Sequence, residues 1–176
     1  MLDAAPIIHP TQTAAWHDAV GCGDILSFRF PLAEEGHRGR PKARPCLVLD
    51  IEELGGQRYA LLAYGTTSKR RSNIGYEVHV RKPADCLAAG LDRPTRFVGA
   101  RRIFVPLTNS AFIVSGATGS AVLGRLDGCA LEAMTAVRAR IHADADIAAD
   151  HRRERSRHTC RRSVRAPFLG QKGVRA

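Results

Sequence analysis

The chain lacks several features that would assign it to a whole class of proteins. No apolar run in it approaches the roughly 18 residues that a membrane-spanning helix needs. Its opening stretch, MLDAAPIIHP, has neither a basic start nor a long apolar segment. The sequence therefore predicts no secretory signal, no membrane partner and a cytoplasmic location. No internal repeat is visible.

The chain also lacks a CxxC pair, and its five cysteines are odd in number and scattered. They are Cys22, Cys46, Cys86, Cys129 and Cys160. This distribution predicts reduced thiols rather than a disulfide framework or a zinc site. Beyond the absence of a zinc site, no cofactor is expected.

Acidic residues are scarce at one end of the chain, and this explains most of the net charge of +10. Residues 151–176 hold nine lysines and arginines against one acid, Glu154, whereas the other 150 residues hold 18 basic and 16 acidic groups. The sequence predicts an N-terminal arm over 1–20 (loose, or with a short helix around its tryptophan), a folded domain over 21–143 and a basic, disordered tail over 144–176. The role of the tail stays open.

Short strands dominate the folded part. Alternating or short apolar runs predict strands at 24–30, 45–51, 58–64, 76–81, 95–98, 103–107 and 111–114, with 120–123 as a further candidate. Asp127 is a favoured helix N-cap, and apolar residues then recur at helical spacing up to Ile141, which predicts a helix over about 128–143. Six or seven short strands followed by one helix indicate an α+β fold built on a small barrel.

Two loops beside these strands are rich in basic residues. The stretch RPKARPCLVLD, residues 40–50, sets Arg44 at the start of a buried strand, where Pro45 is tolerated because it need not donate to the ladder. Arg44 is either a solvated charge that discourages edge pairing or a cation positioned towards an anion. The second loop, GTTSKRRSN, begins at Gly65. If consecutive strands pair, both loops meet at one end of the barrel.

The order of these segments is the basis of a resemblance to a known family. The segments are GDILSFRFP, RPCLVLD, GTTSK, GLDRPT and GRLDGCALEAMTAVRARI, within residues 21–143. In this order and spacing they resemble the PemK/MazF toxins of bacterial toxin–antitoxin systems. The resemblance implies an SH3-like β-barrel, usually a homodimer, that stops growth by cutting single-stranded RNA without a metal and leaves a 2′,3′-cyclic phosphate. It also implies a cognate antitoxin as partner, and DNA binding by the complex of the two.

The same resemblance implies site residues. Arg44 in the RP motif and Thr66 at the start of the polar loop are the implied catalytic residues, with Thr67 a one-residue alternative. The residues expected to contact RNA are Lys42, Thr67, Lys69, Arg70 and Arg71.

The implied chemistry suits these residue types. RNA is cut when its own 2′-hydroxyl attacks the adjacent phosphate, and an arginine such as Arg44 can neutralise the developing charge through two parallel N–H donors. A threonine hydroxyl can donate to the same phosphate but is a poor base. The candidates for proton transfer are His37 and His79, since imidazole changes protonation nearest to neutral pH. Glu34 and Glu35 are further candidates.

A binding module of the same family is the alternative to an enzyme. The loop GHRGRPKARP has no acid where many family members carry a glutamate, and Arg101 and Arg102 stand where many carry Asp-Gln. These features favour a barrel that has lost cleavage and binds nucleic acid or a protein. For the two arginines themselves a solvated strand face is the expectation. The enzyme requires Arg44 and Thr66 on one open groove, within reach of a single phosphate.

Overall fold

A computed structural model describes residues 15–32, 41–68 and 73–164, with side chains up to residue 157. Its elements are α1 (Trp16–Ala19), β1 (Asp24–Arg29), β2 (Ala43–Leu54), β3 (Gln57–Thr66), β4 (Glu77–Val80), α2 (Pro83–Ala88), β5 (Thr95–Pro106), β6 (Val122–Arg125) and α3 (Gly128–Val164). The chain forms two compact units, residues 1–138 and 139–176. The sheet and the start of α3 belong to the first unit.

Six strands form one antiparallel sheet in the order β4-β5-β3-β2-β1-β6. The turn that ends α2, just after the edge strand β4, packs against β6 at the opposite edge. A side chain at Gly90 would lie 2.0 Å from the carbonyl oxygen of Leu123, and one at Gly124 would lie 2.4 Å from that of Ala88. Contact between elements from both edges means that the sheet is curled. The predicted α+β fold, with six or seven strands and a C-terminal helix, is confirmed.

An aromatic-rich core covers one face of the sheet. Its buried members are Val20, Leu26, Phe28, Phe30, Cys46, Val48, Ala60, Leu62, Tyr64, Leu107, Phe112 and Ala121. In β1, β2 and β3 these are the even-numbered positions, because successive residues of a strand face opposite sides. The odd-numbered residues Ile25, Leu47 and Ala63 are buried as well, so both faces of these strands are covered.

The strand β5 differs from its prediction. The sequence predicts two strands, 95–98 and 103–107, but the structure has one strand whose register against β3 skips residues 99–101. A bulge of this kind bends a strand and interrupts its alternation, which is why the sequence pattern breaks there. The predicted strand 111–114 contributes only an isolated bridge from Phe112 to β1.

Helices lie at both ends of the described chain. A short helix does form at Trp16, and the guanidinium of Arg58 on β3 donates to the carbonyl oxygens of His17 and Val20 beside it. The other end differs, because α3 continues through residues 144–164, where the sequence predicts a disordered tail. Its alanines and arginines favour helix. Residues 1–14 and 165–176 lie outside the described part.

The described helices also bear on the membrane prediction. In the part of the chain that the structure describes, no helix combines the length and the apolar character needed to cross a bilayer.

Candidate functional site

Polar side chains from four strands form a row at one end of the sheet, where β2 and β5 begin and β3 and β4 end. Thr66 pairs with Arg96, which pairs in turn with His79. The register of β2 on β3, continued two residues past its last pair, sets Arg44 opposite Thr66. Directly paired residues of antiparallel strands face the same side of the sheet. We call these four residues, Arg44, Thr66, Arg96 and His79, the polar row.

Gly65 allows β2 and β3 to approach closely beside the polar row. A Cβ atom at this position would lie 2.1 Å from the carbonyl oxygen of Pro45 and 3.0 Å from the ring of Phe97. No side chain fits there without moving backbone. The absence of a side chain at Gly65 therefore allows the end of β3 to pack against the start of β2.

A cavity of about 900 Å³ opens at the polar row, and Thr66, Arg96 and His79 contribute to its lining. The lining residues that carry a hydroxyl are Thr66, Thr67, Ser68 and Thr95, and those that carry a guanidinium are Arg81, Arg93 and Arg96. Among the described lining residues only Glu77 supplies a carboxylate. The cavity therefore combines an excess of positive charge with hydrogen-bond donors, a combination that suits an anionic ligand such as phosphate.

A buried carboxylate joins two members of the polar row. Glu77 Oε1 lies 2.7 Å from Nη1 of Arg96, and Glu77 Oε2 lies 3.2 Å from Nε2 of His79. The side chains of Glu77 and Arg96 are 8% and 9% exposed, whereas that of His79 is 37% exposed. The imidazole thus reaches solvent at the cavity while its partner carboxylate stays in the wall.

Sequence reasoning missed Arg96 and Glu77. The alternation of residues 76–81 does set Glu77 and His79 on one face of a strand, so the signal for that pair was available. No local pattern identifies Arg96, because its place in the polar row depends on β5 lying between β3 and β4 in the sheet.

Thr66, a predicted catalytic residue, lies in the cavity wall. Its hydroxyl oxygen accepts a hydrogen bond from the backbone N–H of Ser68 at 3.1 Å, which is a side-chain turn of the type common after strands. A hydroxyl can accept and donate at once. The turn role and a donor role towards a ligand are therefore compatible. Thr67, the alternative threonine, is exposed and also lines the cavity.

Arg44, the other predicted catalytic residue, is partly buried and stacks on the neighbouring core. Its guanidinium carbon lies 5.7 Å from the centroid of the Tyr64 ring, within the range of a cation–π contact. Tyr64 in turn packs against Phe30, with ring centroids 5.4 Å apart. In the described part of the structure Arg44 is not among the residues that line the cavity. It is opposite Thr66 in register, but its guanidinium is directed to the tyrosine.

Cys46, two residues after Arg44, is affected by the same surroundings. Burial raises the pKa of the Cys46 thiol to about 12, against smaller opposing effects from a backbone hydrogen bond with Gly65 and from the charge of Arg44. The thiol is therefore neutral at physiological pH and is not a nucleophile. It is one of four cysteines in the described structure that are free thiols, with Cys22, Cys86 and Cys129.

The remaining predicted residues divide into two groups. Lys42 is exposed just before β2, and Arg101 and Arg102 are exposed at the bulge of β5, as expected for the two arginines. The other group lies outside the described residues and comprises Glu34, Glu35, His37, Lys69, Arg70 and Arg71. Within the described ranges no cluster of three or more His, Cys, Asp or Glu side chains could hold a metal ion.

Comparisons with known proteins give no family for the chain. No protein-family model matches it, and no curated protein matches it. The resemblance to PemK/MazF toxins therefore stays a prediction, and the candidate site rests on the residues and geometry described above.

Proposed function

We propose that the chain is an endoribonuclease of the PemK/MazF type, the toxin of a toxin–antitoxin system, built on an SH3-like barrel. The observation that carries the proposal is the polar row at the mouth of a positively charged cavity. Its members Arg44 and Thr66 are the two residues that the resemblance selects, and they lie opposite each other on adjacent strands. A row of cationic and hydroxyl donors along one sheet end matches what a phosphodiester needs.

The reaction we propose is cleavage of single-stranded RNA by its own 2′-hydroxyl. Attack on the adjacent phosphorus places extra negative charge on the phosphate oxygens. Arg96 and Thr66 line the cavity and supply N–H and O–H donors for those oxygens. Preorganised donors of this kind are each worth about 3–4 kcal/mol in the barrier. The products are a 2′,3′-cyclic phosphate and a 5′-hydroxyl.

Arg44 completes this arrangement when its side chain leaves the Tyr64 ring. Its cation–π contact with that ring is worth about 0.5–2 kcal/mol. A phosphate next to Thr66 offers a full negative charge and two acceptors, which match the two parallel N–H donors of a guanidinium better than a ring face does. In this proposal Arg44 binds the phosphate from the side of β2, while Arg96 binds it from the side of β5.

The partners we propose follow the same family type. Single-stranded RNA is the substrate, a cognate antitoxin is the inhibitor, and the toxin is a cytoplasmic homodimer. The exposed Lys42 beside β2 and the hydroxyl of Thr67 at the end of β3 are the described groups proposed to contact RNA outside the cleaved phosphate. Lys69, Arg70 and Arg71 are proposed for the same role from the sequence.

A second candidate function has one specific observation in its favour. The contact of Arg44 with Tyr64 leaves the cavity without the guanidinium that the resemblance makes catalytic. A barrel that binds nucleic acid or a protein partner without cutting RNA would tolerate this arrangement. Such a binding module would bind RNA with a marked salt dependence and leave it intact.

One experiment separates these functions. The purified chain is incubated with a long single-stranded RNA in the presence of EDTA, and the new RNA ends are mapped. The matched variants are Arg44→Ala and Arg29→Ala, because Arg29 lies at the same end of the adjacent strand β1 but on the opposite face. The proposal predicts discrete cuts that Arg44→Ala loses and Arg29→Ala keeps. Intact RNA with a folded, RNA-binding chain would favour the binding module.

A further inference from the structure

A carboxylate in the wall of the cavity holds an imidazole at its surface. Glu77 is almost fully buried and contacts His79 through one oxygen and Arg96 through the other. Buried ion pairs add little net stability, because the loss of hydration offsets the attraction. An apolar pair would serve the fold as well. A buried carboxylate at this place is better explained by the two groups that it orients.

We infer that His79, oriented by Glu77, takes the proton from the 2′-hydroxyl of the RNA, with Glu77 as its positioning residue. The inference rests on the proposed function and names the proton acceptor that the resemblance leaves open. A carboxylate behind an imidazole fixes its tautomer and stabilises the imidazolium that forms, which is the arrangement by which histidine bases work in other enzymes.

The contacts of the His79 imidazole indicate which of its two nitrogens acts as the base. Nδ1 of His79 lies 3.3 Å from Nη2 of Arg81, and a guanidinium can only donate, so Nδ1 is the accepting nitrogen. Nε2 then carries the hydrogen and lies 3.2 Å from Oε2 of Glu77. Arg81 is exposed and lines the cavity, so a bound phosphate can draw its side chain away and release the Nδ1 lone pair.

The spacing along the polar row suits one nucleotide linkage. Neighbouring strands lie about 4.8 Å apart, so the backbones of Thr66 and His79, with Arg96 between them, are about 10 Å apart. A phosphate bound over Arg96 and Thr66 leaves room on the β4 side for the ribose. The 2′-hydroxyl is then within reach of the imidazole.

The step balances without any further reactant. Nδ1 of His79 takes the proton of the 2′-hydroxyl, and the oxygen forms a bond to phosphorus. The bond from phosphorus to the 5′-oxygen breaks, and that oxygen leaves with the electron pair and takes a proton from water. The hydroxide so formed accepts the proton of the imidazolium. The neutral imidazole and the water are thereby restored.

The decisive variant is His79→Ala, because the imidazole is partly exposed and its loss leaves the core intact. We expect its kcat to fall about 100- to 10,000-fold, while binding of an RNA with a 2′-deoxy nucleotide at the cut site is unchanged. Added imidazole should restore part of the rate. The control is His17→Ala, since His17 also contacts a carboxylate, that of Asp18 at 3.0 Å, but lies outside this cavity.

Three outcomes would overturn the inference. Cleavage by His79→Ala at the rate of the wild type overturns it and leaves the proposed function standing. A slow His79→Ala that imidazole does not accelerate also overturns it, because the loss would then be structural. If the wild type itself leaves RNA intact, the proposed function fails and the inference fails with it.

The positioning role of Glu77 has its own readout. Glu77→Gln should lower kcat at least tenfold more in the wild-type background than in the His79→Ala background, since the carboxylate and the imidazole act as one unit. Any loss through Arg96, in kcat or in KM, should appear equally in both backgrounds. A drop in kcat that is equally large without His79 would contradict the role. Should Glu77→Gln not fold, the imidazole rescue of His79→Ala decides the inference.

Discussion

Gly65 provides a stringent test of the geometry at the polar row. The substitution Gly65→Ala puts a Cβ atom 2.1 Å from the carbonyl oxygen of Pro45, whereas real Cβ atoms keep at least 3.0 Å from such neighbours, so the strands must separate by about 0.9 Å. The obstacle is backbone and cannot rotate away. Overpacking typically costs about 1–3 kcal/mol, and we expect the upper end of that range here.

The assay for Gly65→Ala is thermal unfolding followed by circular dichroism, with RNA cleavage measured on the same samples. A loss of about 3 kcal/mol lowers Tm by about 6–12 °C in a chain of this size. Gly116→Ala is the matched control, because a Cβ there meets nothing within 4 Å and its φ is not positive. Equal Tm values for the two variants would refute the close approach of β2 and β3, and with it the juxtaposition of Arg44 and Thr66.

Two further predictions concern thiols and the packing of α3. Burial raises the pKa of the Cys46 thiol to about 12 from its ordinary 9.0. Between these two pH values the folded chain keeps a proton on the thiol that the unfolded chain loses. The free energy of unfolding should therefore fall as pH rises from about 9 towards 12. Cys46→Ala should flatten that slope in denaturant titrations, whereas the exposed Cys129→Ala should not; equal slopes would contradict the burial. Arg138→Met should lower the free energy of unfolding by about 1–3 kcal/mol, because the guanidinium of Arg138 lies 2.7 Å from the buried carboxylate of Asp50. An unchanged free energy of unfolding would mean that this ion pair does not stabilise the packing of α3 on β2.

Alternation in β1 and short apolar runs in β2 and β3 were sufficient to predict the first three strands. Strands that follow each other along the chain do pair here, β1 with β2 and β2 with β3. For that reason Arg44 and Thr66 could be expected at one end of the sheet before the register was known. The C-terminal helix could also be predicted up to Ile141, because its apolar residues recur at helical spacing.

The rest of the site depends on pairing between distant segments. β5 inserts between β3 and β4, and only this order brings Arg96 beside Thr66. The bulge at residues 99–101 breaks the alternation that would otherwise reveal β5 as one strand. The length of α3 was missed for a different reason, since its charged, alanine-rich extension has no apolar face from which a helix is read.

A double-mutant cycle on RNA cleavage tests whether Arg44 and Thr66 act on the same phosphate. The variants are Arg44→Ala, Thr66→Val and the double variant, each checked for folding and assayed for kcat on one RNA. If both side chains bind the same phosphate in the transition state, each single variant loses about 100-fold or more and the double variant loses far less than the product of the two losses. Losses that simply multiply, or RNA that the wild type leaves intact, would show that Arg44 and Thr66 do not act together on one phosphodiester.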